Sequence, residues 1–316
     1  KKKYKIHWDW FLFLRLSVFG IFEKCNSTVL YYRRHKESNL TKLQFFSKEQ
    51  IKDMQNTIKH EAVSISIGII YSGRLPQLLP KIINKLETDF KEYNKPELII
   101  INNSNFELQI KSDFFKLITI INGINNIVPR NELSNLLSKN YNTIMDISSG
   151  NIIYLLEDDM LPEEDCFKKL LTFLFNNPNC YLVEALYISR HVPTKIVGCL
   201  YNGKIKTFTL DKIPEKPFKV DFTGTGCCLF WKESAPKFKD STSFGIKSHD
   251  WAFCEDIKNS GGDVYILPNA LCRHYTTETE YLVYEPQKRK EPLKRVKNGS
   301  KQSFFDIMLP RHKVHK

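Results

Sequence analysis

Residues 151–156, Asn-Ile-Ile-Tyr-Leu-Leu, run apolar after the first position and are followed at once by Glu157-Asp158-Asp159. A strand with one wet face alternates; a run with no polar position is covered on both faces. Such a strand belongs inside a sheet sandwiched by helices, so strand and helix patterns should alternate around it. They do. Residues 63–70 alternate and are β-branched, ending in the turn Tyr71-Ser72-Gly73-Arg74. A helical pattern spans 78–92, a second strand 97–101 stops at Asn102-Asn103-Ser104-Asn105, and 117–121 is a third strand. Residues 131–148 are helical, with Leu133, Leu136, Leu137, Tyr141 and Ile144 near helical spacing. The spacing of Phe167, Leu170, Leu171 and Leu174 predicts a helix over 163–176, with Pro162 in its first turn and Glu163, Glu164 and Asp165 at its start. The pattern implies an α/β fold with a mostly parallel central sheet and helices on both faces. Short strands at 181–188, 196–200 and 204–210 follow, with a hairpin signal at Asn202-Gly203. Then come a Gly-rich turn, a helix at 249–260, a strand at 264–267 and an apolar stretch to Cys272, which together predict a smaller, mixed half.

Composition narrows the class. Of 316 residues, 42% are hydrophobic and 26% charged, which excludes a disordered, collagenous or polytopic membrane protein. The net charge of +12 invites a nucleic-acid reading until it is located. Lys1, Lys2, Lys3 and Lys5 carry four of these charges and residues 285–316 carry seven, so the body is nearly neutral. A duplex-binding domain carries its charge on the folded body, so no nucleic-acid partner is expected. Eight cysteines without a CxxC form neither a zinc pattern nor a disulfide scaffold. The apolar run at 10–22, WFLFLRLSVFGIF, is interrupted by Arg15 and falls short of the roughly 20 residues of a membrane span. It reads as an amphipathic, membrane-proximal helix. Residues 48–61 read as a surface helix, and 285–316 as a basic tail.

Four segments carry chemistry. Glu157, Asp158 and Asp159 stand at the carboxyl end of the buried strand, where ligands sit in open α/β sheets. Adjacent carboxylates repel unless a cation or proton relieves them, and hard oxygens suit Mn²⁺ or Mg²⁺ bridging to phosphates. An acid-rich helix start would be the bland account, but Glu163–Asp165 already fill it. Thr223-Gly224-Thr225-Gly226 gives a backbone that a substrate can approach closely; a bulged strand would look the same. Asp250, beside Trp251 at the start of the 249–260 helix, is either a simple helix cap or a site residue. His274, after the strand-like 270–272, is either structural or the completing ligand of a metal shell.

These pieces, in this order, resemble a glycosyltransferase of the GT-A fold (Rossmann-like), of the broad family 2 type, over residues 62–276. The resemblance implies a UDP-sugar donor and a glycan or glycolipid acceptor. It implies Asp159 as the main metal ligand for Mn²⁺ or Mg²⁺, with Glu157 and His274 as further ligands. Asp250 is implied as the catalytic base, falling eleven residues before Gly261. Ser72, Arg74, Asn102, Asn103, Glu157 and Asp158 are implied on the donor side. Thr223, Gly224, Thr225, Gly226 and Trp251 are implied on the acceptor wall, the indole able to stack on a sugar. Within the fold, Leu156-Glu157-Asp158-Asp159 looks like the strand end of two eukaryotic Golgi groups, and Cys227-Cys228, His249-Asp250-Trp251-Ala252 and Arg273-His274 look like the second of them. These are the N-acetylglucosaminyltransferase IV type and the GPI side-chain N-acetylgalactosaminyltransferase type. Two features depart from them. Residues 176–222 lack the paired membrane helices inserted in the GPI enzyme, and Asn102-Asn103 replace the acidic pair common in family 2, which would make the base contact one by amide. The implied plan is an N-terminal segment over 1–61, a catalytic domain over 62–276 and a tail over 277–316. The implied location is the lumenal side of a Golgi membrane, or the cytoplasmic membrane face for a bacterial or viral chain.

Overall fold

The computed structural model describes residues 63–123, 130–240, 242–243 and 246–285. The chain divides into two compact units, Lys1–Ser64 and Ile65–Lys316. The helices expected at 10–22 and 48–61, and the tail beyond residue 285, lie outside the described residues.

In the second unit the chain forms β1 (Ile65–Tyr71), α1 (Leu78–Asp89), β2 (Glu97–Asn102), β3 (Leu117–Asn122), α2 (Arg130–Ile147), β4 (Ile152–Glu157), β5 (Met160–Pro162), α3 (Cys166–Asn176) and β6 (Cys180–Leu186). There follow β7 (Lys195–Tyr201), β8 (Ile205–Thr209), β9 (Phe218–Val220), β10 (Cys227–Trp231), β11 (Thr242–Ser243), β12 (Ile246–Lys247), α4 (His249–Asn259), β13 (Asp263–Tyr275) and β14 (Tyr281–Leu282). The main sheet runs β14-β13-β6-β10-β4-β1-β2-β3, with β5 and β9 also paired to β13. Neighbours from β3 to β4 are parallel, β10 lies antiparallel between β4 and β6, and β6 is parallel to β13. This is a mixed α/β architecture with a large, mostly parallel central sheet. The pairs β7–β8 and β11–β12 stand apart from it.

The all-apolar run is the fourth strand, and its residues are fully buried from Ile152 to Tyr154 and beyond. Ile153 and Leu155 join a cluster with Tyr141 and Ile144 of α2 and Phe253 and Ile257 of α4. Tyr154 points the other way, against Phe90 after α1 and Phe167 of α3, at ring distances of 6.3 and 5.3 Å. Period-two alternation thus feeds two helical layers. The helices obey the same logic: α3 buries Cys166, Phe167, Leu170, Leu171 and Leu174, one stripe along the helix.

Three boundaries differ from the sequence reading. Pro162 ends β5, opposite Cys272, and α3 begins only at Cys166 with no acid in its first turn. The reason is tertiary: the Glu163 N–H donates to the Leu271 carbonyl at 2.9 Å and its carboxylate pairs with Arg273, which keeps the chain in the sheet. The segments read at 264–267 and 270–272 are one bulged strand, β13. The sheet also continues past residue 276, since β14 pairs with Tyr275 and Tyr284 is buried. Among the described residues no helix is long and apolar enough to cross a membrane.

Candidate active site

Parallel strands deliver their carboxyl ends to one edge of the sheet, and there the chain concentrates its unusual polar groups. The acid loop after β4 is short because β5 returns immediately to pair with β13, setting Met160 opposite His274. The Tyr275 N–H donates to the Asp159 carbonyl at 2.8 Å. Two residues remote in sequence are thereby locked side by side, with His274 Nε2 3.6 Å from Asp159 Oδ2.

Both side chains are buried, at 3% exposure for Asp159 and 5% for His274. His274 Nδ1 lies 2.7 Å from the Ile188 carbonyl, which can only accept, so Nδ1 carries the proton. That leaves Nε2 as the ring nitrogen turned toward the carboxylate. Nε2 and Asp159 Oδ1 are both buried without a hydrogen-bond partner. Buried ligand atoms left without a partner call for a proton or a cation. The donor chemistry fits one Mn²⁺ or Mg²⁺, which Asp159 and His274 would hold. Glu157 does not join them: among the described residues no three His, Cys, Asp or Glu side chains converge as metal ligands.

Burial, then the charges of Asp159, Asp250 and Asp158, push the Glu157 carboxyl up to about 8, with Arg190 opposing. Burial would raise Asp159 as well, but His274, Arg190 and Arg74 hold it below the usual carboxylate range. Asp158 is raised by burial in spite of its contacts with Ser72. It accepts from the Ser72 N–H at 2.7 Å and from the Ser72 hydroxyl at 2.6 Å. Asp158 thus ties the β1 loop to the acid loop. That loop turns at Gly73 with φ 74°, a conformation side chains with a Cβ avoid. It presents Arg74, whose Nη2 reaches Asp159 Oδ2 at 2.5 Å.

The other expected residues fall in different settings. Asn102 spends its amide on the β2 turn, donating to the Phe106 carbonyl and accepting from Ser104. Asn103 beside it keeps a buried Oδ1 without a partner. Thr223 and Thr225, expected on the acceptor wall, are both buried; Thr225 donates to the Tyr141 hydroxyl at 3.1 Å. A Cβ on Gly224 or Gly226 would meet the Tyr187 hydroxyl at 2.4 or 3.0 Å, so these glycines make room for a tyrosine of the protein itself. Trp251 is stacked on Phe222 at 4.2 Å, which occupies one indole face. Asp250 accepts from the Trp251 N–H at 3.0 Å, and burial raises its carboxyl. It serves as a partial cap and still places its charge within reach of Glu157.

Sequence reasoning missed Arg190, Tyr187 and Glu184. Arg190 Nη1 lies 2.6 Å from Asp159 Oδ2. Tyr187 sets its ring edge against His274 at 5.6 Å and hydrogen bonds to the wholly buried Glu184. The available signal was position: Ser189-Arg190-His191 follows a strand whose carboxyl end shares the acid loop's edge of the sheet.

The chain matches the family model "Glycosyl transferase family 2" over residues 66–238. No curated protein sequence matches it. Solved structures similar to it include A197 from STIV, at 15% identity over 75% of this chain and 100% of that one, TM-score 0.42. Another is GalNAc-T7 with UDP, GalNAc and Mn²⁺, at 11% identity over 68% and 44%, TM-score 0.46. A third is the mannosyltransferase PcManGT from Pyrobaculum calidifontis with GDP-Man and Mn²⁺, at 12% identity over 67% and 58%, TM-score 0.42. The chain spans about half the length of the last two. The family match takes in β1, its Ser72–Arg74 loop and the acid loop, leaving Asp250 and His274 beyond its end. Since it spans more than half of the sequence, this chain belongs to glycosyl transferase family 2.

Proposed function

We propose that this glycosyltransferase moves an N-acetylhexosamine from a UDP-sugar to a hydroxyl of a glycan or glycolipid, with inversion at the anomeric carbon. The supporting observation is the buried pair of unsatisfied ligand atoms, Asp159 Oδ1 and His274 Nε2, at the carboxyl edge of the sheet. A divalent ion bound there would neutralise the charge that develops on the leaving diphosphate. Asp159 and His274 would hold it, and Asp158 ties down the Ser72–Arg74 loop. Asp250, when ionised, takes the acceptor hydroxyl proton as that oxygen bonds to the anomeric carbon and the bond from that carbon to the phosphate oxygen breaks. Attack opposite the leaving group inverts the centre.

The LEDD and Cys-Cys segments support a GPI-glycan side chain as acceptor, and N-glycan transfer is the second reading on the same residues. Membrane association through residues 1–61 belongs to this proposal.

The test is UDP release from a panel of UDP-sugars with Mn²⁺, Mg²⁺ or EDTA. Turnover of one donor, dependent on the metal and lost in Asp159→Ala and Asp250→Asn, is expected. Turnover that survives EDTA and Asp159→Ala would overturn the metal-assisted mechanism.

A further inference from the structure

Asp159 Oδ2 is held by two guanidiniums that come from different loops. Arg74, after β1, lies at 2.5 Å and Arg190, after β6, at 2.6 Å. The carboxylate itself is 4% exposed, while the Arg74 and Arg190 side chains are 46% and 24% exposed. One carboxylate oxygen is thus covered by two fixed cations, and part of each arginine side chain reaches solvent. Arginine cannot shed its charge, so the oxygen stays covered as long as the guanidiniums do.

A divalent cation arriving alone finds that oxygen occupied. To take Asp159 as a ligand it must approach two guanidiniums and break at least one short ion pair. A cation arriving with a diphosphate brings the remedy. Phosphate oxygens accept paired N–H bonds from guanidinium as well as a carboxylate does. The arginines can move from Asp159 to the phosphates, and Asp159 then turns to the metal.

We propose that Arg74 and Arg190 form a counter-ion latch on Asp159 that transfers to the donor diphosphate, so that metal and nucleotide bind cooperatively and the metal alone binds weakly. The inference rests on the metal–diphosphate reading of the site and adds Arg190 to it as a donor-binding residue. It also explains why Arg190 stands beside a metal ligand, where a lone cation would be out of place. Coupling of this kind is reciprocal: the factor by which UDP tightens Mn²⁺ equals that by which Mn²⁺ tightens UDP.

The experiment measures Mn²⁺ binding to the full chain through loss of the free-ion EPR signal, alone and with saturating UDP, subtracting the Mn²⁺·UDP formed in free solution. For the wild type, UDP should tighten Mn²⁺ by about tenfold or more, within the usual range of coupling. In the Arg74→Gln/Arg190→Gln double variant, Mn²⁺ alone should bind about tenfold tighter and the enhancement by UDP should shrink. Wild-type protein that binds Mn²⁺ equally well with and without UDP, losing both in Asp159→Asn, overturns the latch and leaves the metal–diphosphate reading standing. Binding of neither ligand, or binding indifferent to Asp159→Asn, overturns that reading itself. If the double variant fails to fold, the single variants Arg74→Gln and Arg190→Gln carry the same test, and Mn²⁺ alone binding no tighter in either than in wild type overturns the latch.

Discussion

At the level of single residues, the site is a set of carboxylates driven to different protonation states by their surroundings. Asp159 is kept ionised by three cationic or hydrogen-bonding neighbours, whereas Glu157, two positions earlier, is pushed up to about 8. Asp250 is also raised, by burial, with His249 opposing. A base must be ionised, so kcat/KM should fall as pH drops through the raised Asp250 value. The acid limb of the pH–rate profile should therefore sit above the ordinary aspartate value of about 3.9. Asp250→Asn should lower turnover by about 10²–10⁴-fold and leave UDP affinity unchanged within error. A full profile on both proteins checks this; an acid limb at ordinary aspartate pH would count against Asp250 as the base. The Gly224–Gly226 segment yields a second prediction. Gly224→Ala drives a methyl against the Tyr187 hydroxyl, at a cost of about 1–3 kcal/mol. Tyr187→Phe in the same chain removes the clashing oxygen, so denaturant melts should show the double variant less destabilised than the sum of the two singles.

At the level of elements, register does the positioning. The β5–β13 ladder places His274 beside the acid loop, and β1, β2 and β4 are clamped at the opposite end of the sheet by Glu97. This buried carboxylate accepts from Ser66, from the Ser149 N–H and hydroxyl, and from the Gly150 N–H. Burial alone would raise Glu97, but these donors overcome it and hold the carboxyl below its usual range. A depressed folded-state value contributes stability above the unfolded pKa and loses it as pH falls through the folded one. Glu97→Gln should thus destabilise by about 1–3 kcal/mol at pH 7, and the gap to wild type should narrow as pH falls below 4. Urea melts at pH 7 and pH 3.5 test it; a gap independent of pH would mean that the charge is not what matters. The Glu97 clamp and the Asp159–His274 edge lie at opposite ends of the same strands, so the variant should leave the Mn²⁺ and UDP affinities of folded protein unchanged.

At the level of the whole molecule, the core of the second unit is supplied by apolar burial on both faces of a large sheet. EDTA alone should leave Tm unmoved, while Mn²⁺ with UDP at about 100 times Kd should add about 2.7 kcal/mol. A Tm that drops with EDTA would make the metal structural. All seven cysteines among the described residues are buried and free, so reductant should not shift Tm either. The layer order was legible in the sequence because it depends on periodicity. The unbroken apolar run of β4 can only be covered twice, and the stripe from Phe167 to Leu174 can only face a sheet. The acid loop was legible because three carboxylates have no cheap resting place at a buried strand end. The start of α3, the length of β13 and the surroundings of Thr223 and Thr225 were not, because each is decided by a partner remote in the chain: Leu271 and Arg273 for Glu163, Tyr141 for Thr225, Tyr187 for the glycines. Arg190 went unread for the same reason. By itself the sequence determined which segments pair and bury, since local alternation and composition set that. Only the tertiary structure decided which charges face one another, since ion pairs follow distances in space that spacing along the chain does not encode.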